Sequence, residues 1–578
     1  MARHPSLAPE DPWWKAAVVY QVYPRSFSDS NGDGIGDLRG VIERLDHLAE
    51  LGVDVVWLSP IYASPQDDNG YDISDYCAVD PIFGTLDDLD DLVSAVHARG
   101  MKLIMDLVVN HTSSEHAWFA DSRSGRDSPK RDWYIWRDPK DGREPNNWGS
   151  FFSGSAWELD EASGQYYLHL FARSQPDLNW ENPEVRAAVY TMMNWWLDRG
   201  IDGFRMDVIS FLSKPQDLPD GPVVDSGWGD GLVHYGSGPR IHEFLQEMHA
   251  EVFAPRDAEL LTVGETLDAT PERARLYTDS ARRELDMVFH FDHVSLDAGV
   301  GGKFSPQPID LVELKRVFAT WQEGLADVGW NSLYWNNHDQ PRVVSRFGDD
   351  GFLWYPSATA LATVLHLMRG TPYIYQGEEI GMTNMPFQGV DQLRDIESLN
   401  HIASAGAPGS RRAAAALRAV GVAGRDNART PMQWDRRRHG GFTTGEPWID
   451  ANPNHAWLNA ESQRGDARSV FAWYQALIRL RHDDPTVVGG RFTMILPDHP
   501  QVFAYTRTGS ADELLVIANC SAKPAAVDPA VDAAWQGSAV VLCNYERHGA
   551  RLAQLRQWEV QVRRTTGSPH RRGPSQQV

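Results

Sequence analysis

Short runs of apolar residues alternate with helix-like segments along the first two-thirds of the chain. Several runs are apolar almost without interruption, which is typical of parallel strands covered on both faces. The predicted strands are Val18–Tyr23, Val53–Leu58, Lys102–Val109, Gly203–Val208, Leu260–Glu265, Met287–Phe291, Ser332–Asn336 and Tyr373–Tyr375. Eight strands of this kind, separated by helices, predict a parallel sheet with helical crossovers.

The segments between these runs have helical periodicity and recognisable ends. From Asp37 to Leu51, apolar residues recur at helical spacing, and Gly52 follows as a terminator. The same signals predict helices over Leu86–Arg99, which precedes Gly100, and over Pro183–Arg199, which begins with proline in its first turn. The fold class predicted from this order is α/β, a (β/α)₈ TIM barrel.

Two regions interrupt the barrel pattern. Residues 111–181, rich in Trp, Gly, Ser and Asp, are too many for a structureless loop, so we expect an inserted subdomain after the third strand. Residues 491–564 have strand-like alternation without helices, which predicts a C-terminal antiparallel β domain. The barrel itself then comprises residues 1–110 and 182–490. The basic tail, 565–578, is predicted to be disordered.

Composition narrows the possible partners. The chain has 578 residues with 54 Lys and Arg against 79 Asp and Glu, a net charge of −25. This acidity disfavours nucleic acid and anionic membranes as partners. Three widely spaced cysteines exclude a disulfide framework, and the polar start of the chain does not resemble a secretory signal. We therefore expect a cytoplasmic protein, a monomer or weak homodimer, with a small-molecule partner and no organic cofactor.

Three carboxylates stand at the ends of predicted strands. Asp207 ends the run GFRMD, Glu265 lies in VGET, and Asp339 lies in NNHDQP. Because the carboxyl ends of barrel strands meet at one face, these side chains are predicted to form one site. A pair of carboxylates, one a nucleophile and one a general acid, is what glycoside hydrolysis needs. Arg205 lies two residues before Asp207 on the same strand face, so its guanidinium can hold that carboxylate ionised.

Four motifs in this order resemble those of the α-amylase superfamily of retaining glycoside hydrolases. They are DLVVNH at 106–111, GFRMD at 203–207, GET at 264–266 and NHD at 337–339. The resemblance extends from about Trp13 to about Arg563. It implies that Asp207 is the nucleophile, Glu265 the acid/base and Asp339 the stabiliser of the transition state.

The same resemblance assigns the sugar-binding residues. His111 and His338 would hydrogen-bond the sugar at the cleavage position, and Tyr71 would stack on the terminal sugar. Asp72 would bind that sugar's distant hydroxyls and pair with Arg425, with Arg429 as the rival arginine. Such a pair would block the non-reducing side and make the enzyme exo-acting, releasing one glucose at a time.

A loop near the N-terminus is a candidate metal site. Oxygen-bearing side chains alternate from Asp29 to Asp37, and Gly34 permits a sharp turn. Gly40 stands where an EF-hand needs a bidentate Glu, so this is not an EF-hand. The resembling glucosidases bind a structural cation here, which implies a Ca²⁺ or Mg²⁺ site with the ligands Asp29, Asn31, Asp33, Ile35 (through its backbone) and Asp37. The alternative is an Asx-rich turn in which Asp37 caps the following helix.

Two features bear on the linkage that is cleaved. The segment QPDLN at 175–179 matches the oligo-1,6-glucosidase branch, and Val208, next to the nucleophile, is typical of members that act on α-1,6 bonds. We therefore predict an oligo-1,6-glucosidase that forms a covalent glucosyl-enzyme. The alternatives are a maltase-like α-1,4-glucosidase and a sucrose- or trehalose-isomerising relative. A more distant one is a non-catalytic transporter subunit, which would lack the carboxylates and carry a membrane anchor.

Overall fold

The computed structural model describes residues 3–224, 227–407, 409–546 and 552–566. Its central feature is a barrel of eight parallel strands. We label them β1 to β8: Val19–Val22, Val55–Leu58, Lys102–Leu107, Gly203–Met206, Leu261–Glu265, Met287–Phe289, Ser332–Leu333 and Thr371–Tyr375. Strand pairing runs through all eight, and a parallel bridge between Val288 and Asn331 joins β6 to β7 and closes the barrel.

All eight predicted strands are confirmed, and most of them end earlier than predicted. β3 stops at Leu107, β4 at Met206, β6 at Phe289 and β7 at Leu333. After β4 the chain leaves the extended conformation at Val208, which has φ 36° and ψ 40°. The barrel interior is filled by apolar side chains from several strands, among them Trp57, Phe289 and Tyr373.

The helices between these strands begin and end where their capping residues predict. Leu38–Leu51 is capped by the side chain of Asp37, which accepts a hydrogen bond from the Gly40 N–H, and ends at Gly52 in the left-handed conformation. The other helices of at least eight residues are Leu86–Ala98, Pro183–Asp198, Ile241–Met248, Pro271–Thr278, Leu311–Gly324, Trp354–His366, Ile396–Ser404, Arg411–Ala423 and Val470–Asp483.

The inserted subdomain and the C-terminal domain each contain an antiparallel sheet. In the insertion, strands Trp136–Arg137, Gln165–Leu168 and Trp157–Asp160 pair in that order. The C-terminal sheet has the order Arg491–Ile495, Val502–Thr508, Asp512–Asn519, Val560–Thr566 and Ala539–Cys543. Its strand Val560–Thr566 includes the first two residues of the predicted tail. The rest of that tail, 567–578, lies outside the described residues.

Within the described part of the chain, no helix is long and apolar enough to cross a membrane.

Candidate active site

The carboxyl ends of the barrel strands surround a cavity of about 230 Å³. Asp207 directly follows β4, Glu265 is the last residue of β5, and Asp339 lies in the segment after β7. All three carboxylates line this cavity. The structure therefore brings together the three side chains that the sequence predicted to form one site.

Behind the cavity, one guanidinium group contacts three carboxylates. Arg205, 1% exposed, places Nη1 2.7 Å from an oxygen of Asp106 and 2.7 Å from an oxygen of Asp207. Its Nη2 lies 2.9 Å from Glu265 Oε2. The two predicted catalytic carboxyls are thus held side by side on the terminal nitrogens of one rigid, planar group.

Sharing a single positive charge leaves the two carboxyls with different proton affinities. Burial raises the pKa of Asp207 to about 6, against the opposing charge of Arg205. Burial raises the pKa of Glu265 further, to about 8, and the negative charge of Asp207 adds to the effect. Near neutral pH, Asp207 is ionised and Glu265 is protonated, which are the states that a nucleophile and a general acid require.

Val208 connects the predicted nucleophile, Asp207, to the predicted acid, Glu265, through its backbone. Its N–H donates a 3.0 Å hydrogen bond to Glu265 Oε2, and its side chain lines the cavity. To do so, Val208 adopts a left-handed conformation with φ 36°, which is strained for a β-branched residue. Such strain costs about 1–3 kcal/mol and is concentrated at functional sites.

Asp339 lies in a second, more positive environment. Its Oδ1 is 3.3 Å from Arg425 and 3.0 Å from Arg429, and its Oδ2 is 3.4 Å from His338 Nε2. Although burial opposes ionisation, His338 and the two arginines hold the pKa of Asp339 well below its usual range. Asp339 is therefore a permanent negative charge beside the reacting centre.

The two predicted sugar-binding histidines are buried, and both line the cavity. Burial lowers the pKa of His111 to about 4 and that of His338 to about 3, so both rings are neutral at pH 7. His338 stacks on Tyr71 with ring centroids 5.0 Å apart. Tyr71 also lines the cavity, and its hydroxyl donates to Asp106 Oδ2 at 3.2 Å.

The prediction that Asp72 faces the sugar and pairs with Arg425 is wrong. Asp72 is fully buried, and its oxygens accept hydrogen bonds from Ser64, Asp67 and Asp68 within its own loop. The side chain that lines the cavity is Asp68, whose Oδ1 lies 3.4 Å from Arg425 Nη2. Both aspartates belong to one short turn, and the sequence alone does not reveal which of them points inward.

The choice between the two arginines favours Arg425. Arg425 lines the cavity, whereas Arg429, 1% exposed, lies behind it and contacts Asp339 and Asp395. Asp395 bridges both guanidinium groups, at 2.6 Å from Arg425 and 3.1 Å from Arg429. Arg429 therefore supports the wall that Arg425 forms.

Sequence analysis missed several residues of the site. Asp106, which contacts Arg205 behind the cavity, opens the motif DLVVNH, and that position was the signal that could have identified it. Lys303 and Glu397 come from segments without a recognised motif, and they form a 2.7 Å ion pair at the cavity. Three phenylalanines complete this side of the wall: Phe151, Phe152 and Phe171.

The predicted metal loop is closed by its own hydrogen bonds. Asp29 Oδ1, Asn31 Oδ1 and Asp33 Oδ1 each accept from the backbone N–H two residues further on. Asp37 caps the following helix, as the alternative interpretation predicted, and the Ile35 N–H is the donor to Asp33. Side-chain and backbone oxygens are the ligands that Ca²⁺ and Mg²⁺ prefer, so the donor chemistry of the loop suits either ion.

A different group has the close spacing typical of metal ligands. Among the described residues, only His4, Asp54 and His482 form a set of three or more His, Cys, Asp or Glu side chains with ligand atoms within 4.8 Å of one another. Asp54 accepts a hydrogen bond from each ring, at 2.8 Å and 2.9 Å. These hydrogen bonds join the N-terminal segment to the end of helix Val470–Asp483.

Comparison with known proteins identifies the family. Residues 21–490 match the model of the α-amylase catalytic domain. The chain belongs to the α-amylase family and is a glycoside hydrolase. Among curated proteins it is similar to the oligo-1,6-glucosidase of Bacillus cereus, with 53% identity over 96% of this chain and 99% of the relative. It is also similar to the trehalose-6-phosphate hydrolase of Bacillus subtilis, with 50% identity over 96% and 99% of the two chains.

Solved structures give the same assignment. The trehalose-6-phosphate hydrolase of Bacillus licheniformis superposes with a TM-score of 0.91 at 45% identity, covering 96% of this chain and all of that one. The trehalulose synthase of Pseudomonas mesoacidophila superposes with a TM-score of 0.89 at 42% identity, over 96% of this chain and 100% of the other. The relatives thus share one fold and differ in the sugars that their names specify.

The separated pKa values predict a bell-shaped pH profile. The rate should rise as Asp207 ionises near pH 6 and fall as Glu265 loses its proton near pH 8, with a maximum between these values. The measurement is kcat/KM for an aryl glucoside from pH 4 to pH 10. Glu265→Gln should abolish the alkaline limb, and a variant that keeps this limb would contradict the assignment of Glu265 as the acid.

Replacement of the nucleophile should stop catalysis and leave the fold intact. Asp207→Asn removes the carboxylate that attacks the anomeric carbon, so turnover should fall below about one per cent of wild type, because the covalent step is lost. The checks are initial rates and a melting curve. Turnover above that level in a folded variant would remove Asp207 from the nucleophile role.

Proposed function

We propose that this protein is an exo-acting retaining α-glucosidase that hydrolyses terminal α-1,6-linked glucose from isomalto-oligosaccharides. The observation that carries the proposal is the pairing of Asp207 and Glu265 on one guanidinium beside a cavity that both carboxyls line. A retaining mechanism needs two carboxyls close together, one ionised and one protonated. The pKa directions of these two groups meet that requirement.

The first chemical step forms a covalent intermediate. A carboxylate oxygen of Asp207 attacks the anomeric carbon while Glu265 transfers its proton to the glycosidic oxygen, and the bond to the leaving sugar breaks. Asp339, held ionised, stabilises the positive charge that develops on the glucose ring. Glu265 is left as a carboxylate beside Asp207, with Arg205 in contact with both.

The second step releases glucose. The Glu265 carboxylate takes a proton from water, and the resulting hydroxyl attacks the anomeric carbon, which breaks its bond to Asp207. Two inversions restore the original α-configuration. The same residue therefore serves as acid and then as base, and its raised pKa allows both roles near neutral pH.

The closed end of the cavity supports an exo mode of action. Asp68 and Arg425 both line the cavity, 3.4 Å apart, where they can bind the hydroxyls of a terminal sugar. Gln175 fixes Asp68 from behind, with its Nε2 3.1 Å from Asp68 Oδ2. Such a wall would accept the end of a chain and would block the middle of a polysaccharide.

Two further observations favour the α-1,6 linkage. Val208 lines the cavity and donates its N–H to Glu265, so its side chain shapes the space that the leaving sugar occupies. The named relatives include several oligo-1,6-glucosidases at 51–54% identity. A trehalose 6-phosphate substrate would bring a phosphate dianion, but Lys303 of the cavity wall is already paired with Glu397.

The linkage preference should depend on Val208. The wild type should cleave isomaltose with a higher kcat/KM than maltose, sucrose, trehalose or trehalose 6-phosphate. Val208→Thr should raise the maltose-to-isomaltose ratio by about tenfold, because a small change in this wall alters fit by about 1–3 kcal/mol. The measurement is the ratio of kcat/KM values, since an equal loss on both sugars would indicate general damage to Asp207.

The wild-type values test the linkage proposal directly. If the wild type cleaved maltose tenfold better than isomaltose, the α-1,6 proposal would fall and the α-glucosidase would stand. Val208→Ile, which keeps the branched shape, is the matched control and should leave the ratio closer to that of wild type.

We further propose that the loop from Asp29 to Asp37 binds a structural Ca²⁺ or Mg²⁺ ion. The support is its oxygen-only donor set at alternate positions. An ion that binds only the folded state stabilises it by mass action. Chelation should therefore lower the melting temperature by several degrees, and added Ca²⁺ or Mg²⁺ should restore it. An unchanged melting curve, with no metal found by elemental analysis, would reject the site.

We also propose that the protein is cytoplasmic and is a monomer or a weak homodimer. Cys77 is an exposed thiol that forms no disulfide, which suits a reducing compartment. Light scattering coupled to size exclusion would measure the oligomeric state.

A further inference from the structure

On the face of the barrel opposite the catalytic cavity, one carboxylate lies between two histidines. Asp54 directly precedes β2, so it stands at the amino end of a strand, whereas the catalytic carboxyls lie at the carboxyl ends. Its Oδ1 lies 2.8 Å from His4 Nε2, and its Oδ2 lies 2.9 Å from His482 Nε2. Three side chains that can bind a metal therefore meet away from the site of hydrolysis.

Three distant segments of the chain hold this group together. His482 lies in the last turn of helix Val470–Asp483. The Ser6 N–H donates to the His482 carbonyl at 3.1 Å, and this bond fixes the N-terminal segment, with His4, against the end of that helix. The three side chains are thus assembled by the fold before any ion binds, which lowers the entropic cost of binding.

The charges of the group suit a divalent cation. The two imidazole rings are stacked, with centroids 3.7 Å apart. Two protonated rings at this distance would repel each other, and one carboxylate would neutralise only one of them. Two neutral rings can instead offer a lone pair each to one ion, while Asp54, only 4% exposed, supplies a negative charge.

A zinc ion requires adjustment of side chains alone. Bonds of about 2.0–2.1 Å to nitrogen and oxygen set neighbouring ligand atoms roughly 3.3 Å apart in a tetrahedron. The three ligand atoms lie within 4.8 Å of one another. The rings are 10° from parallel, so they must tilt apart for both lone pairs to point at one ion. The side chains of His4 and His482 are 18% and 16% exposed, which leaves space towards solvent for this tilt.

We propose that His4, Asp54 and His482 bind one Zn²⁺ ion, with a water molecule as the fourth ligand. Two imidazoles and a carboxylate suit Zn²⁺ better than Ca²⁺ or Mg²⁺, which prefer oxygen ligands alone. Each ring coordinates through Nε2 and carries its proton on Nδ1. Asp54 coordinates through Oδ1, while its Oδ2 keeps the 2.8 Å hydrogen bond from the Val18 N–H.

The proposed ion has a structural role. It joins the N-terminal segment to the carboxyl end of helix Val470–Asp483, where a positive charge also interacts favourably with the helix dipole. The donor set differs from that of the oxygen-rich loop from Asp29 to Asp37, so the two proposed sites can be tested separately.

The test measures zinc binding to the full-length protein without a polyhistidine tag, in buffer that contains Ca²⁺ to occupy the oxygen-rich loop. After dialysis against micromolar Zn²⁺, elemental analysis should find one more Zn²⁺ per chain in the wild type than in His4→Gln. Zn²⁺ should also raise the melting temperature of the wild type by a few degrees, because it binds only the folded state. Co²⁺ should give the wild type the visible absorption of a tetrahedral complex.

His4→Gln separates the ion from the hydrogen bonds of the group. Its amide N–H can still donate to Asp54, but the imidazole ligand is gone. The variant should therefore melt close to the metal-free wild type and lose the zinc-dependent shift and the Co²⁺ absorption. His482→Gln should lose the same signals, and it serves as the second variant if His4→Gln does not fold.

The matched control is His97→Gln. His97 also contacts a carboxylate, with its Nε2 2.7 Å from Asp202 Oδ2, but it belongs to no set of three close ligands in the described part of the chain. This variant should bind Zn²⁺ as the wild type does. If the wild type bound no Zn²⁺, or if both other variants bound as much as the wild type, the proposal would be overturned, and the group would be held by hydrogen bonds alone.

Discussion

The ion pairs of Arg205 with Asp106, Asp207 and Glu265 determine how the rest of the site can work. Three carboxylates share one buried positive charge, so all three cannot be ionised at low cost. The fully buried Asp106 also accepts hydrogen bonds from Trp57 and Tyr71. The positive charge of Arg205 therefore compensates Glu265 least, and burial raises the pKa of this carboxyl to about 8. Glu265, the proposed general acid, is thus the carboxyl that receives the least compensation for its charge.

A second network completes the electrostatic division of the site. Arg425 and Arg429 lie between Asp68, Asp339 and Asp395, so positive charge there is nearly matched by negative charge. In that setting Asp339 remains ionised, while Glu265, on the other side, remains protonated. Asp339 and Glu265 thus line one cavity and differ in charge because they contact different guanidinium groups. Asp207 and Glu265 share Arg205, and they differ because burial raises the pKa of Glu265 further than that of Asp207.

Sequence patterns predicted the strands and helices of the barrel better than they predicted the residues of the cavity wall. Strand composition and helix caps depend on near neighbours, so all eight barrel strands were predictable, and the order of the strand ends predicted that Asp207, Glu265 and Asp339 meet at one cavity. Whether Asp68 or Asp72 faces the cavity depends on how one turn orients its side chains. The pattern of apolar and polar positions does not determine that orientation. Lys303 and Phe151 reach the cavity from distant segments whose placement depends on tertiary packing.

The strained backbone at Val208 connects the environment of Glu265 to the shape of the cavity. The chain must turn immediately after the nucleophile so that the Val208 N–H reaches Glu265 Oε2, and this turn requires a left-handed residue at the end of β4. Glycine would adopt that conformation with less strain, but it would remove the side chain that shapes the leaving-group side of the cavity. The valine costs about 1–3 kcal/mol of strain and supplies both the hydrogen bond and the wall. A single position thus couples the environment of the acid to the shape of the space for the leaving sugar, so a change in linkage preference there also alters the surroundings of Glu265.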